Sequence, residues 1–382
     1  MNNIPFFNYQ YFYQQYSSQL NKIFNDVLSR GAFILQRDLE EFEDKVCEYL
    51  NVKHAIGVAN CTDGLQLAVL AAGIGPGDEV IFPSHTFVAT AASIHYSGAT
   101  PVPVDCGEDH TINIESIKQA ISSRTKAIMP VQLNGRTAKM DSIMEISKQN
   151  NLIVIEDSAQ ALGSKYKGQS AGTFGLAGAF SFYPAKVLPC FGDGGMVVTN
   201  DDVMAEKLYA LHEHGRNKEG QMTGWGMNSR LDNLQAAFLN FFINLYDDQI
   251  VSKRRHIASI YQDRLQGNPH IHLPPAPNSN AEHFDVFQNY EVEFDFRDEL
   301  QQYLTDNGIG SLRQWNGKAV HQWQELGMNA SLPYTDKMTN RYLLLPMNIS
   351  LCDDDVNIIC DKINHFYEHI IGSSHACKEE VV

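Results

Sequence analysis

The sequence of 382 residues predicts an α/β protein with a large domain followed by a smaller α+β domain. Between Thr100 and Ile155, apolar runs of strand length alternate with segments of helical period. This alternation is typical of a mainly parallel sheet with helices on both faces. The run Leu152–Ile155 is wholly apolar, as expected of a strand buried on both faces. Glu156 and Asp157 follow at its carboxyl end, where an open α/β sheet normally places its ligand.

The elements of the large domain follow from these two periodicities. The first helix has an apolar face formed by Leu20, Ile23, Phe24, Val27 and Leu28, and a second begins at an N-cap, Asp38. A polar turn before a mostly apolar helix from about Asp63 to Ala72 has two possible explanations: an ordinary cap by Thr62 or Asp63, or a phosphate site at the helix N-terminus. The remaining predictions are strands at 80–82, 101–104, 127–131, 152–155 and 196–199, and helices at 114–121, 140–149, 203–211 and 233–246.

The smaller domain is expected to span residues 247–371, after a large domain of residues 1–246 that includes an N-terminal arm. It is predicted to contain a charged helix at 247–272, a Pro-rich loop at 274–280, an alternating strand at 290–294, a helix at 297–307 and a last helix opened by Cys352–Asp355. Residues 372–382 are predicted to be a disordered tail.

Composition excludes several classes of protein. Hydrophobic residues make up 43% and charged residues 19% of the chain, which is ordinary for a soluble globular protein. A net charge of -16 without a basic stripe argues against a nucleic-acid partner. Seven scattered cysteines contain no Cys-x-x-Cys pair, so neither a disulfide framework nor a metal site is expected. No run is long enough to span a membrane and no signal peptide is visible, so we expect a cytoplasmic protein.

Asp157 and Lys186 are the residues that most strongly indicate chemistry. Lys186 lies in a loop among Pro184, Val187 and Leu188, poor surroundings for a solvated charge. An acid that ends one strand and a lysine in a nearby loop are what a pyridoxal 5′-phosphate (PLP) site requires. The lysine can form a Schiff base, and the carboxylate can keep the pyridine nitrogen protonated. Considered singly, Asp157 could instead be a helix cap and Lys186 a surface lysine.

Seven strings in order resemble the DegT/DnrJ/EryC1/StrS family of PLP-dependent nucleotide-sugar aminotransferases, which have the aspartate-aminotransferase fold (fold type I). The resemblance extends from about Ile4 to about Phe366. The strings are Ala59–Gly64, Gly75–Glu79, Thr86–Thr90, Asp157 with Gln160, Ser181–Lys186 with Gly192–Gly195, Gly226–Asp232 and Leu345–Asn348. The resemblance implies a mainly parallel, seven-stranded sheet that lies between helices. Two departures are Cys61, where relatives usually have Gly, and the segment 314–321, where relatives more often have Tyr-Pro-x-Pro-x-His.

The resemblance also assigns roles to residues. Lys186 and Asp157 are expected to be catalytic. Thr62, Asp63 and Ser181 would bind the phosphate, Phe87 would stack on the ring and Gln160 would bond its phenolic oxygen. Asn228 would reach the cofactor phosphate of a partner subunit, which implies a homodimer with shared active sites. The residues that could contact the substrate are His85, Arg230, Trp315 and His321.

The implied reaction converts a nucleotide-linked keto-sugar to an amino sugar with L-glutamate as the amine donor. The nucleotide would be dTDP or UDP and the ketone at C3 or C4, for surface polysaccharide such as the O-antigen of lipopolysaccharide. One alternative is a PLP-dependent sugar dehydratase of the same family, in which the lysine is typically replaced by histidine. Another is a non-catalytic regulatory protein on the same fold. A Rossmann dehydrogenase is disfavoured because no Gly-x-Gly-x-x-Gly follows an early strand.

Overall fold

The structure, a computed structural model, describes residues 3–371. The tail predicted at 372–382 therefore lies outside the described residues. Within 3–371, no helix combines the length and the apolar character needed to cross a bilayer.

The described chain forms twelve α-helices and thirteen strands. The helices are α1 Tyr11–Arg30, α2 Arg37–Leu50, α3 Cys61–Ala71, α4 Val88–Tyr96, α5 Ile114–Ala120, α6 Met140–Asn150, α7 Asp202–His212, α8 Asn233–Phe242, α9 Ser252–Leu265, α10 Arg297–Asp306, α11 Pro333–Met338 and α12 Asp353–His365. The strands are β1 His54–Val58, β2 Glu79–Pro83, β3 Thr100–Val104, β4 Thr125–Ile128, β5 Ile153–Asp157, β6 Lys165–Tyr166, β7 Gln169–Ser170, β8 Ala177–Ser181, β9 Gly195–Thr199, β10 Ile271–His272, β11 His283–Phe284, β12 Tyr290–Phe294 and β13 Tyr342–Leu345.

A seven-stranded sheet in the order β1-β9-β8-β5-β4-β2-β3 forms the centre of the molecule. Strand β9 is antiparallel to both of its neighbours, and every other pair of neighbouring strands is parallel. The prediction of a mainly parallel, seven-stranded α/β sheet is confirmed.

Helices cover both faces of this sheet. Successive side chains of a strand point to opposite faces, and β9 shows the consequence. Met196 and Val198 pack in one apolar cluster with Phe42 of α2 and Leu239 of α8. Val197, between them, packs in a second cluster with residues of α3, α4 and α7.

A smaller antiparallel sheet, β10-β12-β13, packs against α9, α10 and α12 around a separate apolar cluster. The passage into this region is helical throughout, because a 3₁₀ turn at Ile243–Leu245 and a π-helical segment at Tyr246–Val251 connect α8 to α9. The division at residues 246 and 247 stays a prediction. A third sheet, β11-β6-β7, is formed by two-residue strands.

Three local predictions were wrong. Asp38 does not cap α2, whose N-cap is Gln36; its carboxylate instead accepts hydrogen bonds from Arg30 and Asn233. The helix predicted at 247–272 ends at Leu265, before Gly267 with its positive φ of 84°. The strand predicted at 127–131 is Thr125–Ile128, and Val131 makes only an isolated bridge to Asp157.

Candidate active site

A cavity of about 530 Å³ opens at the carboxyl end of β5. Seven of the residues predicted for the site line it: Thr62, Phe87, Asp157, Gln160, Ser181, Trp315 and Lys186. They come from strand ends, from helix N-termini, from the loops after β5 and β8, and from the 3₁₀ segment Gln314–Gly317. The cavity also continues toward the C-terminal region, where Gln288, Asn289 and Gln314 form part of its wall.

Asp157 is the last residue of β5 and its side chain is 5% exposed. Burial raises the pKa of its carboxyl group. Two hydrogen bonds, one from the Thr90 hydroxyl and one from the backbone N–H of Ala159, oppose this rise, and so does the positive charge of Lys186. Thr90 Oγ1 donates to Oδ2 at 2.7 Å, and the N–H of Ala159 donates to Oδ1 at 3.2 Å. These donors stabilise the ionised carboxylate in an enclosed site.

Lys186 reaches the same cavity from the loop between β8 and β9. The backbone N–H of Lys186 donates to the carbonyl of Tyr183 at 2.8 Å, and this bond closes a turn. Burial lowers the pKa of the Lys186 amine, and the nearby Cys61 and Asp157 oppose this only in part. A lysine whose pKa is lowered can act as a nucleophile and as an acceptor of protons.

The N-terminus of α3 forms another wall of the cavity. Thr62 and Asp63 do not cap this helix; Asn60 does, and its side-chain oxygen accepts the N–H of Asp63 at 2.8 Å. A helix leaves its first N–H groups without partners in the helix, so those of Cys61 and Thr62 are available for an anion at the cavity wall. The Asp63 carboxylate points elsewhere, because it accepts a hydrogen bond from Ser229 Oγ at 2.7 Å.

Gly195 permits the close approach that this wall requires. A Cβ atom there would lie 2.5 Å from the carbonyl carbon of Asn60 and 2.6 Å from the nitrogen of Cys61. Any larger residue at the start of β9 would therefore push the N-terminus of α3 away from Ser181, which pairs with Gly195 across the sheet.

These features fit PLP by their chemistry. The cavity combines an enclosed acid, an enclosed amine and helix N–H groups suited to a phosphate. Phe87, the N-cap residue of α4, is 53% exposed at the cavity, as an aromatic ring must be to stack on a planar ligand.

The other predicted residues lie away from the cavity wall. His85 is fully buried and its Nε2 lies 3.0 Å from Glu291 Oε1. His321 is held between Ser84, at 2.6 Å, and Asp336, at 3.0 Å. Arg230 donates to Glu213 at 2.9 Å. Asn228 is exposed and does not reach the cavity of its own chain. Direct substrate contacts by His85, His321 and Arg230, and the role of Asn228 across a dimer, remain predictions.

Sequence reasoning missed a buried polar cluster beside the cavity. His85, His110 and Glu291 place ligand-type atoms within 4.8 Å of one another. His110 Nδ1 lies 2.6 Å from Glu291, and its Nε2 lies 3.3 Å from Glu293. Burial alone would lower the pKa of His110, but the two glutamates raise it to about 9. Both ring nitrogens of His110 face carboxylates, which accept hydrogen bonds when ionised, so both nitrogens are engaged as donors.

Comparisons with known proteins identify the family of this chain. A family model described as the DegT/DnrJ/EryC1/StrS aminotransferase family matches residues 14–364. A pleiotropic regulatory protein of Geobacillus stearothermophilus is 37% identical over 96% of this chain and 99% of its own length. A dTDP-3-amino-3,4,6-trideoxy-alpha-D-glucose transaminase of Streptomyces venezuelae is 36% identical over 96% of this chain and 97% of its own.

The same relationship holds in three dimensions. The crystal structure of S. venezuelae DesV in complex with a ketimine intermediate superposes with a TM-score of 0.92, at 36% identity, covering 97% of this chain and 100% of that one. A DegT/DnrJ/EryC1/StrS aminotransferase from Brucella abortus superposes with a TM-score of 0.90, at 35% identity, covering 96% and 100% of the two chains. The sequence and the fold agree over nearly the whole length, and the chain therefore belongs to the DegT/DnrJ/EryC1/StrS aminotransferase family.

Proposed function

We propose that this protein is a PLP-dependent aminotransferase that converts a nucleotide-linked keto-sugar to an amino sugar, with L-glutamate as the amine donor. The observation that carries the proposal is the placement of Lys186 and Asp157 on one enclosed cavity. Burial lowers the pKa of the Lys186 amine and raises the pKa of the Asp157 carboxyl. Perturbed groups of this kind, facing one cavity, are typical of active sites.

When bound, PLP supplies an electron sink through which an amino group moves from a donor to an acceptor. The chain would hold it with the N–H groups of Cys61 and Thr62 and the hydroxyl of Ser181 at the phosphate. Asp157 would face the pyridine nitrogen and keep a proton on it, because its negative charge stabilises the protonated ring. The Lys186 amine would act as a general base that takes a proton from the amino-bearing carbon of the donor, and then as a general acid that gives this proton to the cofactor carbon that receives the amino group.

An adjoining groove supports a nucleotide-linked substrate. The groove, of about 600 Å³, shares Phe87 and Trp315 with the cavity. Arg313 and Lys318 line it, and the Lys318 amine lies 4.5 Å from the centre of the Trp323 ring. Two cations beside two indole rings suit a diphosphate joined to a planar base.

The names of relatives indicate which nucleotide-linked sugars are candidates for the substrate. They include transaminases for dTDP-linked and UDP-linked sugars, and a GDP-perosamine synthase of Escherichia coli O157:H7. We propose a dTDP- or UDP-linked sugar with a ketone at C3 or C4, used in the cytoplasm for surface glycan synthesis.

The active unit is proposed to be a homodimer with shared active sites. Asn228 follows a loop in which Trp225 is 96% and Met222 66% exposed. Apolar side chains this exposed are typical of an interaction surface, and Asn228 would then lie near the partner's cofactor.

The test is a set of spectra of purified protein with PLP, before and after L-glutamate is added, followed by addition of the keto-sugar. We expect a visible band from the lysine-bound cofactor, its loss with glutamate, its return with the correct sugar, and no such band in Lys186→Ala. A band that does not respond to glutamate would contradict the transaminase proposal. Folded protein with no band under saturating PLP would favour a regulatory protein, as one relative is named. Retention of Lys186 disfavours the dehydratase.

A further inference from the structure

Glu291 is the centre of the buried polar cluster beside the active site. It lies in β12, is 2% exposed, and receives hydrogen bonds from four residues. His85 Nε2 and His110 Nδ1 contact its Oε1 at 3.0 and 2.6 Å. Asn134 Nδ2 donates to Oε1 at 3.0 Å and Gln314 Nε2 donates to Oε2 at 3.2 Å. The four contacts compensate the burial of one negative charge.

The charge of Glu291 fixes the orientation of two amides. An ionised carboxylate can only accept hydrogen bonds, so Asn134 and Gln314 must each turn the NH₂ group toward it. The carbonyl of the Gln314 side chain then points away from Glu291. It faces Gln160, whose Nε2 lies 3.5 Å from Gln314 Oε1.

The backbone of Asn134 also orients the side-chain amide of Gln160. The backbone N–H of Asn134 donates to Gln160 Oε1 at 2.7 Å. A backbone N–H can only donate, so the oxygen of Gln160 must face Asn134. One N–H of its NH₂ group faces Gln314, and the other is left for the cavity wall that also carries Asp157 and Lys186.

We infer that Glu291 is a positioning residue: its buried charge turns the Gln314 side-chain oxygen toward Gln160 and so, together with the backbone N–H of Asn134, keeps an N–H donor of Gln160 directed at the cofactor. The inference rests on the proposed function, because it takes PLP as the ligand and its phenolic oxygen as the acceptor. Glu291 itself does not line the cavity. It acts through the side-chain amide of Gln314, whose Nε2 also donates to Asn134 Oδ1 at 3.1 Å.

The test compares Glu291→Gln with Glu293→Gln. Glu293 lies two residues along the same strand and contacts the same histidine, at 3.3 Å, but no hydrogen bond joins it to Asn134, Gln160 or Gln314 among the described residues. A glutamine at 291 offers both a donor and an acceptor, so it no longer dictates how the neighbouring amides point. Glu293→Gln keeps Glu291 and its amide contacts.

The first measurement is the pH titration of the visible band of the PLP-loaded protein. When the phenolic oxygen loses an N–H donor, it holds the neighbouring proton more tightly, so the midpoint should rise by about 0.5 to 1 pH unit in Glu291→Gln. The second is the affinity of the cofactor-free protein for PLP, which we expect to weaken about fivefold. Glu293→Gln should match the wild type in both. In a Gln160→Ala background, Glu291→Gln should cause no further shift of the midpoint.

The inference is overturned if Glu291→Gln titrates and binds PLP as the wild type does, or if Glu293→Gln shifts the midpoint equally. If Glu291→Gln does not fold, Gln314→Met decides, because it breaks the link to Gln160 and leaves both histidines on Glu291. It should raise the midpoint in the same direction, and an unchanged midpoint overturns the inference. Failure of the proposed function is a different result, namely wild-type protein that forms no visible band or does not react with glutamate.

Discussion

The side-chain amide of Gln288 holds the peptide groups on both sides of Lys186. Its Oε1 accepts the N–H of Val187 at 2.8 Å, and its Nε2 donates to the carbonyl of Ala185 at 2.7 Å. Gln288 is 5% exposed and lies two residues before the start of β12. A residue from the C-terminal region therefore fixes the backbone of the lysine that the large sheet places at the cavity.

Gln288→Glu tests this contact. A carboxylate keeps the acceptor for Val187 but cannot donate to Ala185, so the loop is held on one side only. Because small displacements of a reacting group are costly, we expect kcat to fall about tenfold while the visible band of the bound cofactor still forms. Stopped-flow measurement of the glutamate half-reaction, with thermal unfolding as a check on folding, gives the answer.

Gln235→Glu is the matched control. Gln235 holds Phe191 in the same loop by the same pair of bonds, accepting its N–H at 2.8 Å and donating to its carbonyl at 3.4 Å. We expect a loss of less than twofold, because Phe191 is five residues from Lys186 and outside the cavity. Equal losses in both variants would show a general effect on the loop rather than a specific one on Lys186.

The alternation of β12 shows what the sequence could and could not predict. The bounds Tyr290–Phe294 were predicted correctly, because an alternating pattern marks a strand. The same pattern suggests that Glu291 and Glu293 face water, yet both are buried. His110, about 180 residues away in sequence, contacts both side chains. Such a contact depends on tertiary packing and has no signal in a local window.

The same distinction between local sequence signals and tertiary contacts applies to the residues of the site. Asp157 and Lys186 could be found because each stands beside an apolar or Pro-rich segment that makes a charge conspicuous. Asn60 was missed as the cap of α3 because Thr62 and Asp63 are equally good capping residues by type. Gln288 was missed because its role is defined by a loop 101 positions away, between Ala185 and Val187.

Thr90→Val should move the acidic limb of the pH profile of kcat/KM to higher pH. Burial raises the pKa of Asp157, and the hydrogen bond from Thr90 opposes that rise. Valine has the shape of threonine but no donor, so the pKa of the carboxyl rises further and its charge is lost at a higher pH. The measurement is kcat/KM for the keto-sugar as a function of pH, followed to the lowest pH at which the protein stays folded.

Ser93→Ala serves as its control on the same helix. Ser93 Oγ donates to the carbonyl of Thr90 at 2.8 Å and has no hydrogen bond to Asp157. Its acidic limb should coincide with that of the wild type. An unmoved limb in Thr90→Val would mean that Asp157 does not set this part of the profile.

Glu43→Gln should stabilise the protein at neutral and higher pH. Burial raises the pKa of Glu43 to about 7, although the N–H of Gly57 donates to it at 2.7 Å. The folded state therefore binds more protons than the unfolded state between the ordinary pKa of 4.5 and about 7, so this group makes stability fall as pH rises through that window. Glutamine keeps an acceptor for Gly57 without the charge.

The expected gain in the free energy of unfolding is about 1–2 kcal/mol above pH 7.5 and near zero at about pH 4. Urea unfolding at several pH values and one protein concentration measures it. Glu41→Gln, on the exposed side of the same helix, should show less than about 0.5 kcal/mol at either pH. A gain of the same size at both pH values would contradict the buried-charge explanation.

Mixing two inactive variants tests the shared active site. In Lys186→Ala every site lacks its lysine, and in Asn228→Ala every site lacks the amide that the partner is proposed to supply. In a mixed dimer of the two, one site carries both defects and the other carries neither. Random reassembly of equal amounts should therefore restore about a quarter of the wild-type activity. If Asn228 instead acts on the cofactor of its own chain, each site of a mixed dimer carries one defect and mixing restores nothing.

Size-exclusion chromatography with light scattering must show that both variants are dimers, because monomers cannot share a site in the mixing experiment. A monomeric protein would itself contradict a site that needs Asn228 from its neighbour.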